Sequence, residues 1–212
     1  MKKESIVIIG GGGHAKVMID LVENLKIYKI VGLVDQALKK GSRLLSVEVL
    51  GGDEVLPKLF KKGVRLAVLG VGSWGDHKLR DQIYARVKFL GFKFPALIHP
   101  EATVSKYATL SDGVQLMAKS CIGPAATIGE NSVVNTATIV EHDCFLGRNV
   151  YTGSSVIFSG NVTVNEGTFI GSGVCIIPKV VIGKQCLIAA GAVVVSDVKD
   201  FEKVKGVPAR SY

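Results

Sequence analysis

The chain has 212 residues, 48% of them hydrophobic and 21% charged, with a formal net charge of +8. That apolar content supports one large or two small packed domains and excludes a disordered chain, while no apolar run approaches the roughly 20 residues of a membrane span. The basic excess is scattered as pairs (Lys39-Lys40, Lys61-Lys62) and single residues with no aromatic stacking motif, so it reads as a positive field for small phosphorylated ligands and not as a nucleic-acid surface.

Met1-Lys2-Lys3-Glu4 carries signal-peptide-like charges, but the apolar run after it breaks at the glycines of residues 10–14 without a cleavage-like site, so residues 5–9 read as a buried strand. Beyond the glycines, Val17, Met18, Leu21, Val22 and Leu25 recur at helical spacing. Residues 30–34 predict a second strand ending at Asp35. Asp53 is placed to cap a helix through Phe60, and residues 64–69 predict a third strand. A helix over residues 76–90 then turns Leu79, Ile83 and Val87 to one face. Residues 1–96 thus predict a small Rossmann-like α/β domain with a parallel sheet.

From Ile98 the period becomes six. Read in hexads to Lys199, the first positions run from Ile98, Val104 and Leu110 to Ile188 and Val194, and fifteen of the seventeen are aliphatic. The fifth positions, from Ala102 to Val198, are small or β-branched. Neither a helix nor plain strand alternation singles out one position in six. A coil of three short strands does, because each aliphatic residue then stacks on the one eighteen residues away. Residues 97–212 therefore predict a left-handed parallel β-helix, with glycines at second positions (Gly123, Gly129, Gly147, Gly153, Gly171, Gly183) expected to serve unusual turn dihedrals. Cys121, Cys144, Cys175 and Cys186 lack C-x-x-C spacing and lie in apolar stretches. They read as reduced thiols, neither zinc ligands nor disulfides, which fits the cytoplasm.

Several residues carry candidate chemistry. Gly10, Gly12 and Ala15 fit G-x-G-x-x-A between a strand and a helix, where backbone N–H groups meet phosphate. Asp35 is placed to accept from a ribose or a base, an arrangement an NAD site shares, although no hydride-transfer domain follows. His142, at a third hexad position, points away from inward Val140 and sits at a corner. It suits a general base, or else a surface histidine capping a turn. Glu141 and Asp143 flank it, and either carboxylate can orient the ring. Pro124 and Gly160, one coil before and after, leave the imidazole uncrowded. Asn135 reads equally as a turn residue satisfying its own backbone.

Three stretches together, residues 9–16 (Ile-Gly-Gly-Gly-Gly-His-Ala-Lys), Asn135-Thr136 with Val140-Glu141-His142-Asp143-Cys144, and Gly206-Val207-Pro208-Ala209, resemble the PglD/NeuD-like sugar acyltransferases of the hexapeptide-repeat superfamily. The resemblance spans the whole chain. It implies an acetyl-CoA-dependent acetyltransferase, with no metal, that acts on a nucleotide-sugar and forms a homotrimer with acetyl-CoA between neighbouring helices. It also implies His142 as base and Asp143 as its partner, with Gly12, Gly13, His14, Asp35, Gly70 and Asn135 on the substrate and Gly72 beside Gly70 at the pocket rim. Ser172 and Ala190 fall where backbone lines the acetyl-CoA cleft. Tyr151 departs from the pattern by standing where relatives carry a second histidine, and its phenol keeps a hydrogen-bonding group there. The implied acceptor is the amine of a UDP- or dTDP-linked 4-amino-4,6-dideoxy sugar in bacterial surface glycan synthesis. A sialic acid hydroxyl, giving O-acetylation, is the alternative acceptor, and a nonenzymatic β-helix scaffold the alternative class.

Overall fold

The computed structural model describes residues 3–73 and 77–211. Asp76, the expected start of the last helix, and the charged Met1 and Lys2 lie outside them. The chain forms two compact units, one built from residues up to Ser73 and from Lys78 to Leu97, the other from Ile98 onward.

The first unit runs β1 (Glu4–Ile9), α1 (Gly13–Leu25), β2 (Tyr28–Val34), β3 (Arg43–Leu44), β4 (Val47–Gly51), a 3-10 turn (Asp53–Val55), α2 (Leu56–Lys61), β5 (Leu66–Leu69) and α3 (His77–Phe89). The sheet order is β3-β4-β2-β1-β5, parallel except for the β3–β4 pair. This is a Rossmann-like order, with β1 between β2 and β5 and buried on both faces. Val7 and Ile9 join Leu56, Tyr84 and Val87 in one core cluster. Ile6 and Ile8, turned to the opposite face by strand alternation, are equally buried.

β1, β2, β4 and β5 form the expected parallel sheet, and the two-residue β3 adds an antiparallel pairing with β4 at its edge. Two expectations are corrected here. Asp53 caps nothing with its side chain; Gly52 holds the N-cap position, and the Asp53 carboxylate instead accepts from Gln36 Nε2 at 2.8 Å and pairs with Arg86 Nη2 at 2.5 Å. Leu79 is 52% exposed, whereas Val87 is buried as expected, with Arg80 and Tyr84 turned inward beside it.

In the second unit a two-residue strand begins every six residues from Leu97–Ile98 to Val193–Val194. Each pairs in parallel with the strands eighteen residues away, as Cys121↔Ile139 and Ile122↔Val140 do, so the coil has three flat sides. First-position side chains from Leu116 to Val194 are at most 3% exposed and form the stacked interior. The fifth-position column is buried as well, and its polar members brace the coils. Ser132 Oγ donates to the Gly147 carbonyl at 2.8 Å and accepts from Val150 N–H at 3.0 Å. Thr138 and Thr168 repeat the pattern. Cys144 and Cys186 donate to the Ser159 and Lys199 carbonyls from buried positions, and burial pushes both thiols up from their ordinary pKa.

The glycines have a different reason from the one expected. The left-handed residues are the fourth positions: Gly113, Lys119, Ala125, Asn131, Ala137, Asp143, Asn149, Ser155 and so on, with φ near +60°. Second-position glycines are not left-handed; a Cβ on Gly129 would lie 2.5 Å from the Gly147 carbonyl carbon, and one on Gly171 2.4 Å from Ala190 N. They let adjacent coils approach. The same exchange should therefore have opposite signs at the two columns. Ala137→Gly, at φ 56°, is expected to stabilise by about 1 kcal/mol, and Gly129→Ala to destabilise by about 1–3 kcal/mol. Denaturation midpoints at one fixed protein concentration check both; a gain at Gly129 or a loss at Ala137 would reverse the assignment.

Candidate functional site

In the first unit, the glycine loop lies at the carboxyl end of β1, where open α/β sheets bind ligands. Gly10 is left-handed at φ +96°, and a Cβ there would strike Val71 Cγ2 at 2.4 Å. Gly70, expected at an open rim, is buried; a Cβ on it would meet Ala15 at 2.7 Å, so packing of α1 against the end of β5 accounts for it. Gly72 is half-buried beyond it. Gly12 and Gly13 differ from both, since among the described residues a Cβ at either meets nothing within 4 Å, and neither has a left-handed backbone. The described residues do not demand glycine at these two positions. Gly12 is the N-cap of α1, no side chain caps it, and the first turn holds no acidic residue, so the exposed N–H groups suit an anion. His14 follows within that first turn, half-buried.

Asp35 supports this loop. Its Oδ2 accepts from Gly11 N–H at 2.7 Å, and its Oδ1 accepts from Ala37 and Leu38 N–H at 2.8 and 3.0 Å. The carboxylate expected to meet a ribose or base is thus engaged in holding the ends of β1 and β2 together. Sequence reasoning missed Gln36, which joins Asp53 and Arg86 beside it; three polar residues spread over half of the unit leave no spacing signal.

In the second unit, the third hexad positions form three edges with different chemistry. The first edge carries Thr136, Ser154, Ser172 and Ala190, the second Pro124, His142, Gly160 and Pro178, and the third Glu130, Arg148, Glu166 and Lys184. The third is an exposed charge ladder, with Arg148–Glu130 at 3.5 Å and Lys184–Glu166 at 3.3 Å, each pair contributing little to stability.

On the second edge, His142 Nδ1 lies 2.7 Å from Asp143 Oδ2, with both side chains about half exposed. A carboxylate only accepts, so Nδ1 carries a proton, and in the neutral ring Nε2 presents its lone pair. Asp143, not Glu141, is the ring's partner. The backbone of the pair is pinned from both neighbouring coils: Asp143 N–H donates to the Pro124 carbonyl, and the His142 carbonyl accepts from Asn161 N–H, each at 3.0 Å. Asp143 holds a left-handed backbone at φ 58°.

The other predicted coil residues gather along the first side and its edge. Tyr151 faces outward from its strand and stacks on Phe169 with ring centroids 5.9 Å apart. Ser172 Oγ accepts from Ser154 N–H at 3.2 Å, and Ala190 is exposed one coil further. Asn135 Oδ1 accepts from Thr136 N–H at 2.8 Å, and its own N–H donates to Thr152 Oγ1 at 2.9 Å. Its carbonyl oxygen therefore does serve the turn. A full flat side separates this edge from His142, which at strand rise amounts to roughly 15–20 Å.

A Rossmann-like unit joined to a hexapeptide coil, with a histidine–carboxylate pair on one edge, defines a hexapeptide-repeat acyltransferase architecture. The comparisons place the chain within that class. The PglD N-terminal domain is matched over residues 5–87. The chain is 36% identical to PerB from Caulobacter crescentus, whose crystal structure is a complex with CoA and GDP-perosamine, with a TM-score of 0.92 over 98% of this chain and 97% of that one. It is 33% identical to the acetyltransferase domain of PglB from Neisseria gonorrhoeae in complex with acetyl coenzyme A, again with a TM-score of 0.92, over the full length of both. It is also 31% identical to the UDP-N-acetylbacillosamine N-acetyltransferase of Bacillus subtilis, over 54% of this chain and about half, 52%, of that protein. The chain belongs to the PglD-like family of hexapeptide-repeat sugar acetyltransferases.

Proposed function

We propose that the chain transfers the acetyl group of acetyl-CoA to the amine of a nucleotide-linked amino-sugar. The observation that carries this is the His142–Asp143 pair, standing in a chain that is alike over its full length to proteins crystallised with CoA, acetyl-CoA and GDP-perosamine. The amine nitrogen attacks the thioester carbonyl, His142 Nε2 takes the proton that the nitrogen sheds, and CoA leaves as its thiolate. Asp143 keeps Nε2 the unprotonated nitrogen and favours the imidazolium that forms. Asn135 serves the acceptor. The small residues of the first edge leave backbone open to an extended pantetheine arm, with Tyr151 beside it and Ser172 and Ala190 along it. The Gly12–Gly13–His14 turn, held by Asp35, receives the nucleotide diphosphate.

The working form is a homotrimer, because one chain carries its base and its acetyl-CoA residues a full side apart, and a reacting amine and thioester must come within about 3–3.5 Å. A cytoplasmic setting accords with four free cysteines, and among the described residues no helix is long and apolar enough to cross a membrane.

Free-thiol release from acetyl-CoA tests the reading against UDP-, dTDP- and GDP-linked amino-sugars, with sialic acid as the hydroxyl acceptor. Turnover is expected with an amino-sugar nucleotide. Turnover on sialic acid alone would replace N- by O-acetylation, and tight NAD binding without response to any sugar nucleotide would overturn the assignment of the first unit.

A further inference from the structure

Gly160 lies one coil beyond His142 on the second edge. A Cβ placed on it would lie 2.6 Å from both Cε1 and Nε2 of His142 and 3.3 Å from Cδ2, and these three ring atoms are its nearest neighbours. That sets it apart from the second-position glycines such as Gly129 and Gly171, whose missing Cβ atoms would strike backbone. Gly160 is not left-handed, so its backbone conformation makes no demand for glycine.

The coils cannot spread to admit a side chain there. Asn161 N–H donates to the His142 carbonyl at 3.0 Å, and Lys179 N–H to the Gly160 carbonyl at 3.1 Å, so the chain on either side of Gly160 is held at ladder spacing. The part free to yield is the half-exposed imidazole. If it swings away, Nδ1 leaves the Asp143 carboxylate; if it stays, a methyl group covers Nε2, the atom that receives the proton.

We infer that Gly160 is a positioning residue for His142: its bare Cα keeps open the space beside Nε2 while the ring remains on Asp143. The inference rests on His142 being the base, and it adds a residue on a neighbouring coil that acts only through that ring.

The test compares wild type, Gly160→Ala, His142→Ala and the double variant by steady-state kinetics with the best amino-sugar acceptor, together with denaturation midpoints. Gly160→Ala is expected to lower kcat by about 10–100-fold, in line with a small misplacement of a reacting group, with the KM for acetyl-CoA and the midpoint little changed. In the His142→Ala background the same change should cost nothing further, because the group it acts through is gone. Full turnover in Gly160→Ala beside a crippled His142→Ala overturns the inference alone. An equal loss in both backgrounds, or a lowered midpoint, assigns Gly160 to the fold and also overturns it. If His142→Ala itself keeps full turnover, the base assignment falls, and the role of Gly160 with it.

Discussion

His142→Ala is expected to lower turnover by about 10²–10⁴-fold while acetyl-CoA affinity changes little, the usual range for loss of a general base. In the proposed mechanism the imidazole acts on the attacking amine, whereas the residues assigned to acetyl-CoA lie on another edge and offer mainly backbone. Asp143→Asn should cost less. The amide can still hydrogen-bond the ring, but the negative charge that favours the imidazolium formed during transfer is gone, so turnover falls, by less than on loss of the ring. Glu141→Gln is the control, because the ring's 2.7 Å contact is to Asp143. Near wild-type turnover in His142→Ala on the best acceptor would leave direct attack by an already neutral amine as the working mechanism.

Two inactive variants are expected to restore one another when combined. Ala190→Trp places a large side chain at an exposed position of the first edge and should block acetyl-CoA there; His142→Ala removes the base on the second edge. If each site draws its base from one chain and its acetyl-CoA edge from the next, a random one-to-one mixture of the two chains contains intact pairs at about a quarter of its sites, by the statistics of a head-to-tail ring. Coexpression with two affinity tags isolates the mixed trimers, in which about one site in three is intact, and kinetics on that doubly tagged fraction reads this. A site made within one chain would stay dead in every mixture, and a monomeric mass by light scattering at micromolar concentration would remove the basis of the expectation.

The parts of the molecule legible from its residues were those governed by short-range period. A hexad announces the coil because each aliphatic first position must stack on its counterpart eighteen residues on, whereas His142 by itself reads as either a base or a surface histidine and was singled out by the family resemblance. The β3–β4 hairpin was not legible, since two- and five-residue strands joined by a tight turn carry too little alternation to separate from loop. Leu79 misled because the face of α3 is chosen by what packs against it; Val87 is buried as expected, but Tyr84 lies inward where Leu79 was expected to.

The glycines show the same division most clearly. Composition and spacing placed them at second positions, but the obvious reason, conformational freedom, belongs to the fourth positions, where Lys119, Ala137, Asp143 and Asn149 occupy left-handed backbone without it. Only stacked coils reveal that a second-position Cβ would enter the neighbouring backbone, and that Gly160 faces an imidazole. Asp35 likewise reads in sequence as a ligand acceptor, and in three dimensions its oxygens are committed to Gly11, Ala37 and Leu38. By itself the sequence determined the two architectures and set two carboxylates beside His142, of which the family resemblance selected Asp143, since periodicity and adjacency are local properties of a chain. The tertiary structure alone decided which neighbours each residue must clear and that Asp35 closes on Gly11, because those depend on contacts between segments eighteen or more residues apart.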